Sequence, residues 1–272
     1  MVLDVHGPYE PWLSILNEGQ LKTWAVDGTN ENVEVIHAMG RPVGRIAHNI
    51  GEFLYSLKFS KPKQVGIIAL GIDYIMKRLI GNYIPRIRET RDKTYGYKKW
   101  DVLIPDYALL MGNKMIAIFK FALENSDFNF FGTTITSTYL NTDQLVRFVE
   151  TLPKENMLAG NFVTRGQEHF QQGAFRLYSR DVVEYIVQNR KRYQHWALED
   201  VAMGRLLNKK GFNEFNIPNM TIGSISELNQ LESEFVQAQV YFRCKGVTKF
   251  GNKLREDVSI LKAVHDRISV RK

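Results

Sequence analysis

Glu199 and Asp200 are adjacent carboxylates at the start of a segment whose apolar residues Ala202, Met203, Leu206 and Leu207 recur at helical spacing. The spacing predicts an amphipathic helix with an acid pair in its first turn. A carboxylate placed there has two possible roles. It can take a proton from a hydroxyl that attacks an electrophile, or it can cap the helix and complement its dipole. Arg243 and Lys245 lie two residues apart in a predicted strand, so both side chains share one sheet face. Two cations so placed can neutralise a phosphate, or they can discourage edge pairing as surface charges. The histidines His6, His37 and His169 are scattered without metal-ligand spacing. Neither a phosphate-cradling glycine loop nor a G-x-S-x-G nucleophile turn is present, and Ser179 reads as a helix cap.

These groups must be held by alternating strands and helices. Val2 to Val5 reads as a short buried strand ending in the turn residues His6, Gly7 and Pro8, and Trp12 to Trp24 reads as a helix. Val33 to Met39 and Asp101 to Asp106 read as strands, and a helix follows with Met115, Ile118, Phe119 and Ala122 on one face. Phe128 to Phe131 reads as a strand, and Asn141 and Thr142 open a helix that buries Leu145, Phe148, Val149 and Leu152. Met157 to Val163, Phe170 to Tyr178 and Val236 to Cys244 read as further strands, with a long helix at the end. Val65 to Leu79 fits a buried strand or part of a helix equally well. The order implies an α/β fold with a mostly parallel central sheet flanked by helices.

With 272 residues, 44% hydrophobic and 24% charged, the composition is that of an ordinary globular protein with one large core. No apolar run approaches the ~18 residues of a membrane span, so no transmembrane segment is expected. One cysteine, Cys244, excludes an internal disulfide and fits a reducing compartment. The net charge of +7 is concentrated: residues 85–99 carry +4 and residues 241–272 carry +6, leaving −3 elsewhere. Two basic patches on a slightly acidic body fit an anionic ligand, or two solvated surfaces.

The run Gly173, Ala174, Phe175 to Ser179, followed by Glu199, Asp200, Val201 and Gly204, resembles the acceptor-side block of a known enzyme group. That group is the inverting glycosyltransferases of the beta-1,3-galactosyltransferase and fringe type, with their "G-x-G/A-aromatic-x-x-S" and "E-D-V-x-x-G" motifs. Lys22, Thr23 and Trp24 with Val33 to Gly40 are similar to the family's opening "I-R-x-T-W … V-x-V-x-F-x-x-G", with lysine for arginine at position 22. Asp106 and Lys114 fall at the ends of its "D-x-Y-x-N-L-x-x-K". Where the family carries "K-x-D-D-D-x-F-x-N", this chain has Ile135, Thr136 and Ser137 in the three acidic positions, with Tyr139 and Asn141 keeping the flanks. Hydroxyls and an isoleucine cannot replace carboxylates as ligands for magnesium or manganese. Either the activity is lost, or the leaving diphosphate is stabilised without a metal.

The resemblance implies a GT-A-like nucleotide-sugar fold in a single domain spanning 1–272. Residues 1–145 would form the nucleotide-sugar half, with a family-variable insertion at about 41–99, and 146–272 the acceptor half with a basic C-terminal segment. It implies Asp200 as the catalytic base and Glu199 as an acceptor contact. Donor contacts are expected from His6, Gly7, Tyr9, Asp106, Thr136, Ser137, Arg243 and Lys245, with Lys249, Lys253 and Arg255 close behind in sequence. The expected partners are a nucleotide sugar, most simply a uridine diphosphate sugar, and a glycan or glycoprotein acceptor. No cofactor, no metal requirement and no nucleic acid are expected. Eukaryotic relatives are membrane-anchored Golgi proteins, so the missing anchor implies a cytoplasmic bacterial or viral enzyme. Two rivals stand beside this reading. One is a sugar- or nucleotide-binding protein of the same fold that has lost the chemistry. The other is a nucleic-acid binder using the basic patches, although the aromatic interleaving of such modules is lacking.

Overall fold

Val2 and Leu3 set the layering: neighbouring residues of one strand, they enter apolar clusters on opposite faces of the sheet. A computed structural model describes residues 1–25, 30–42, 83–93, 96–106, 110–195, 197–246 and 256–269. Its eight-stranded sheet has the order β3-β4-β2-β1-β5-β8-β7-β9. The strands are β1 (Val2–His6), β2 (Val35–Arg41), β3 (Ile87–Arg91), β4 (Lys98–Pro105), β5 (Phe130–Ile135), β7 (Met157–Arg165), β8 (Glu168–Ser179) and β9 (Asn213–Asn216). β3 and β8 run against the others, so the sheet is mostly parallel. A three-stranded sheet, β10-β11-β6, joins β6 (Thr138–Leu140), β10 (Asn219–Ile222) and β11 (Tyr241–Cys244).

Helical turns begin at α1 (Trp12–Ser14) and continue through a π turn (Ile15–Gly19) and a 3-10 turn (Gln20–Lys22), where the periodicity predicts one regular helix. Trp24 ends this stretch in the core, its indole Nε1 donating to the Thr138 carbonyl at 2.8 Å. α2 (Met111–Asn125) buries the predicted stripe of Met115, Ile118, Phe119 and Ala122. In α3 (Thr142–Val149) the predicted cap is present, the Asn141 side chain accepting from Gln144 N at 3.4 Å. α4 (Arg180–Gln188) and α5 (Glu199–Leu207) cover the Leu3 face with α2, whereas α8 (Asp257–Ser269) covers the Val2 face with the small sheet. Between these lie the short α6 (Ile225–Asn229) and α7 (Ser233–Gln237).

Two expectations are corrected. The predicted strand from Val236 to Cys244 is divided: Val236 belongs to α7 and only Tyr241–Cys244 is extended. Val236 and Val240 are four residues apart, and a helical turn buries the first while releasing the chain into β11 at the second. The strand expected at Phe128 to Phe131 instead begins at Phe130 and runs to Ile135, so Thr133 to Ile135 are sheet and only Thr136 and Ser137 form the turn. Of the stretch read as an insertion at about 41–99, the described margins are sheet: Arg41 closes β2, and β3 and the start of β4 are strands. Val65 to Leu79 lie outside the described residues.

The strand β1 is covered on both faces, and the acid at its middle is satisfied internally. Asp4 is fully buried, with Oδ2 3.1 Å from His37 Nδ1 and Oδ1 accepting from Gln20 Nε2 at 3.3 Å. Gly204 explains the closing glycine of the acidic motif: a Cβ there would lie 2.6 Å from the His169 carbonyl, because α5 rests directly on β8.

Candidate active site

From β1 the sheet continues through β2 and β4 on one side and through β5 on the other. In open α/β sheets a crevice forms at such a reversal, beyond the carboxyl ends of the strands, and ligands bind there. A cleft of about 260 Å³ occupies this place. Val5 of β1, Thr133 to Ile135 of β5, Met111 and Met115 of α2, and Gly173 and Arg176 of β8 line it, and Leu198, Glu199 and Asp200 close it. A Cβ on Gly173 would meet nothing within 4 Å, so this glycine leaves open space on the β8 wall.

The acid pair occupies the predicted first turn of α5, where negative charge complements the helix dipole. Neither carboxylate is the cap, because Leu198 holds that position and no side chain caps this helix. Asp200 Oδ1 accepts from the next amide, Val201 N, at 2.9 Å, and the residue is half-buried in the cleft wall. Glu199 turns to β8, its Oε2 accepting from Arg176 Nη2 at 2.8 Å with side-chain exposures of 17% and 5%. Its backbone carbonyl accepts from the Tyr193 hydroxyl at 3.3 Å. Tyr193 fits because residue 112 is glycine: a Cβ there would lie 2.3 Å from the Tyr193 ring.

Burial works against the Arg176 charge, but Glu199, Tyr178 and Asp200 outweigh it and hold the guanidinium above its usual range. Burial pushes the Tyr178 phenol up to about 12. Tyr193 is raised as well, first by burial and then by Glu199. At neutral pH the cleft therefore presents a fixed cation and protonated phenols behind its carboxylates.

Among the described residues, none of the predicted donor contacts lines the cleft. His6 ends β1, Gly7 and Tyr9 follow it, and the Tyr9 carbonyl accepts from Leu13 N at 3.2 Å at the first helical turn. Thr136 and Ser137 are buried in the turn directly after Ile135. That turn is tied to β11 by Cys244 N donating to the Ser137 carbonyl at 2.7 Å. Arg243 pairs in register with Thr138, and its enclosed Nε has no hydrogen-bond partner among the described residues. Lys245 is exposed just past the end of β11. Among the described residues, neither Arg243 nor Lys245 lines the cleft. Lys249, Lys253 and Arg255 lie outside the described residues.

Asp106, beyond the end of β4, already has partners within the protein. Its Oδ2 accepts from Lys114 Nζ at 3.0 Å and Gly40 N at 3.1 Å, which joins both ends of the predicted motif and explains Gly40. A Cβ on Gly40 would lie 2.9 Å from the Asp106 side chain. Part of the first basic patch is paired too: Lys98 lies 2.9 Å from Glu34, and Lys99 lies 2.9 Å from Asp101.

Sequence reasoning missed Arg176, Tyr193 and the two methionines of the wall. Arg176 alone carried a signal, as a charge within the otherwise buried strand segment from Ala174 to Ser179. Among the described residues no group of three or more His, Cys, Asp and Glu side chains could hold a metal ion. No described helix is long and apolar enough to cross a membrane. The chain matches no protein-family model and no curated protein sequence.

Proposed function

We propose that this protein is an inverting glycosyltransferase with a GT-A-like nucleotide-sugar fold, moving a sugar from a nucleotide donor, a uridine diphosphate sugar, to a glycan hydroxyl. The observation that carries the reading is the position of Asp200: it opens a helix in the wall of the cleft beyond the reversal between β1 and β5. The acceptor oxygen attacks the anomeric carbon and forms the new C–O bond. Asp200 takes the hydroxyl proton, and the bond to the donor phosphate breaks with its electron pair leaving on the diphosphate. The reversed β8 between β5 and β7, and the small sheet tied to the end of β5, support the fold assignment.

The donor diphosphate lies along the turn of Thr136 and Ser137, whose hydroxyls suit hydrogen bonding but not cation coordination. Arg243 on β11 and Lys245 just past its end flank this turn and stabilise the charge that develops as the diphosphate leaves. Transfer therefore persists in excess chelator and does not rise appreciably with manganese or magnesium. Abolition of transfer by chelator, with recovery on adding manganese, would refute the metal-free mechanism. A thermal-shift series over nucleoside diphosphate sugars identifies the donor, because a ligand that binds the folded state raises the apparent melting temperature.

Arg243→Ala weakens binding of uridine diphosphate by about 1.5–3 kcal/mol, the worth of a charge-assisted hydrogen bond, and affects the monophosphate less. Arg243→Lys recovers part of this, keeping the charge without the planar two-pronged donor. Calorimetric titration of both nucleotides checks it. An unchanged preference for diphosphate would make Arg243 a structural charge only.

A further inference from the structure

Arg176 lies in β8 between Phe175 and Leu177, in a strand buried on both faces, where a charge is costly to keep. Its Nη2 bonds Glu199 at 2.8 Å, while Nε and Nη1 are enclosed without a hydrogen-bond partner among the described residues, as is Glu199 Oε1. Buried ion pairs of this kind contribute little to stability: replacing both partners with packed apolar groups is often neutral or stabilising. Stability alone does not account for the pair. Its location does, because Glu199 immediately precedes Asp200 and shares the first turn of a helix that no side chain caps. The Tyr193 hydroxyl holds the same residue by its carbonyl, 3.3 Å away.

We infer that Arg176 is a positioning residue: by clamping Glu199 to β8 it fixes the first turn of α5 and so aims the Asp200 carboxylate into the cleft. This rests on the reading of Asp200 as the base. Reacting groups must be held close to the productive geometry, and a displacement of about 1 Å costs about 10²-fold in rate. Arg176 itself need not touch either substrate, so its loss separates turnover from donor affinity.

The test uses Arg176→Met/Glu199→Met, which removes both charges together, and Arg176→Lys. Turnover is expressed per uridine diphosphate binding site, so that loss of folded protein does not count as loss of rate. The double variant should bind uridine diphosphate like wild type yet turn over about 10²-fold more slowly. Arg176→Lys should be intermediate, about tenfold down, because a single ammonium cannot reproduce the guanidinium geometry. Wild-type turnover in the double variant overturns the inference, and so does a fall in nucleotide affinity that matches the fall in rate. Where the double variant does not fold, Arg176→Lys decides, and wild-type turnover per site then overturns it. Asp200→Asn is measured alongside. Normal turnover in that variant removes the base assignment itself; a crippled Asp200→Asn beside unimpaired Arg176 variants removes only the positioning role.

Discussion

Asp200→Asn lowers transfer by about 10²–10⁴-fold, the worth of a general base, or roughly 2.7–5.5 kcal/mol of barrier. Asparagine has the same shape and keeps an oxygen for the Val201 amide, now 2.9 Å from Oδ1, so the start of α5 survives. What it loses is the capacity to accept the hydroxyl proton. Steady-state rates at saturating donor should therefore collapse while the dissociation constant for uridine diphosphate stays within about twofold. A variant with wild-type turnover removes Asp200 from the chemistry. A parallel loss of nucleotide binding would place Asp200 on the donor instead.

Glu199→Gln should be the most destabilising conservative change in the cleft, by about 3–5 kcal/mol in urea unfolding at neutral pH. The amide can still accept a hydrogen bond from Arg176 but leaves the guanidinium without its bonded counter-charge, in a side chain 5% exposed. The cost comes from a buried cation that has lost its anion, not from one missing hydrogen bond. Removing both charges in Arg176→Met/Glu199→Met should recover most of the loss. Equal stability of Glu199→Gln and wild type would mean that water or Asp200 already compensates Arg176.

How far the sequence could be read depended on whether each signal was local. Met115, Ile118, Phe119 and Ala122 share one helical face, so pattern alone predicted that stripe and all four are buried. The acid pair at the head of α5 was legible for the same reason, since five buried residues from Ala202 to Leu207 follow it. β3 was not legible. Its Ile87, Arg88, Glu89, Thr90 and Arg91 have no apolar alternation, because an edge strand is held by its neighbour's backbone more than by its own side chains. Arg176 was visible only as an oddity in an apolar strand. Its meaning depends on Glu199, 23 residues later, and no local rule connects the two. The division between α7 and β11 failed for a related reason, since Val236 and Val240 fit either period in so short a run.

The borders of the large sheet bear on how the protein behaves in a crowded solution. Among the described residues, β3 closes one border with Arg88, Glu89 and Arg91, and β9 closes the other with four residues, Asn213, Glu214, Phe215 and Asn216. An unpaired strand is a template on which another chain can add itself, and the tendency grows with length, flatness and apolar character. Exposed arginine and glutamate along a border are hydrated charges that an added strand would have to desolvate, and a border of four mostly polar residues is too short to seed a stack. Arg88 and Arg91, read in the sequence as part of a basic ligand patch, thus stand on a border strand of the described sheet, where hydrated charges discourage the addition of another strand.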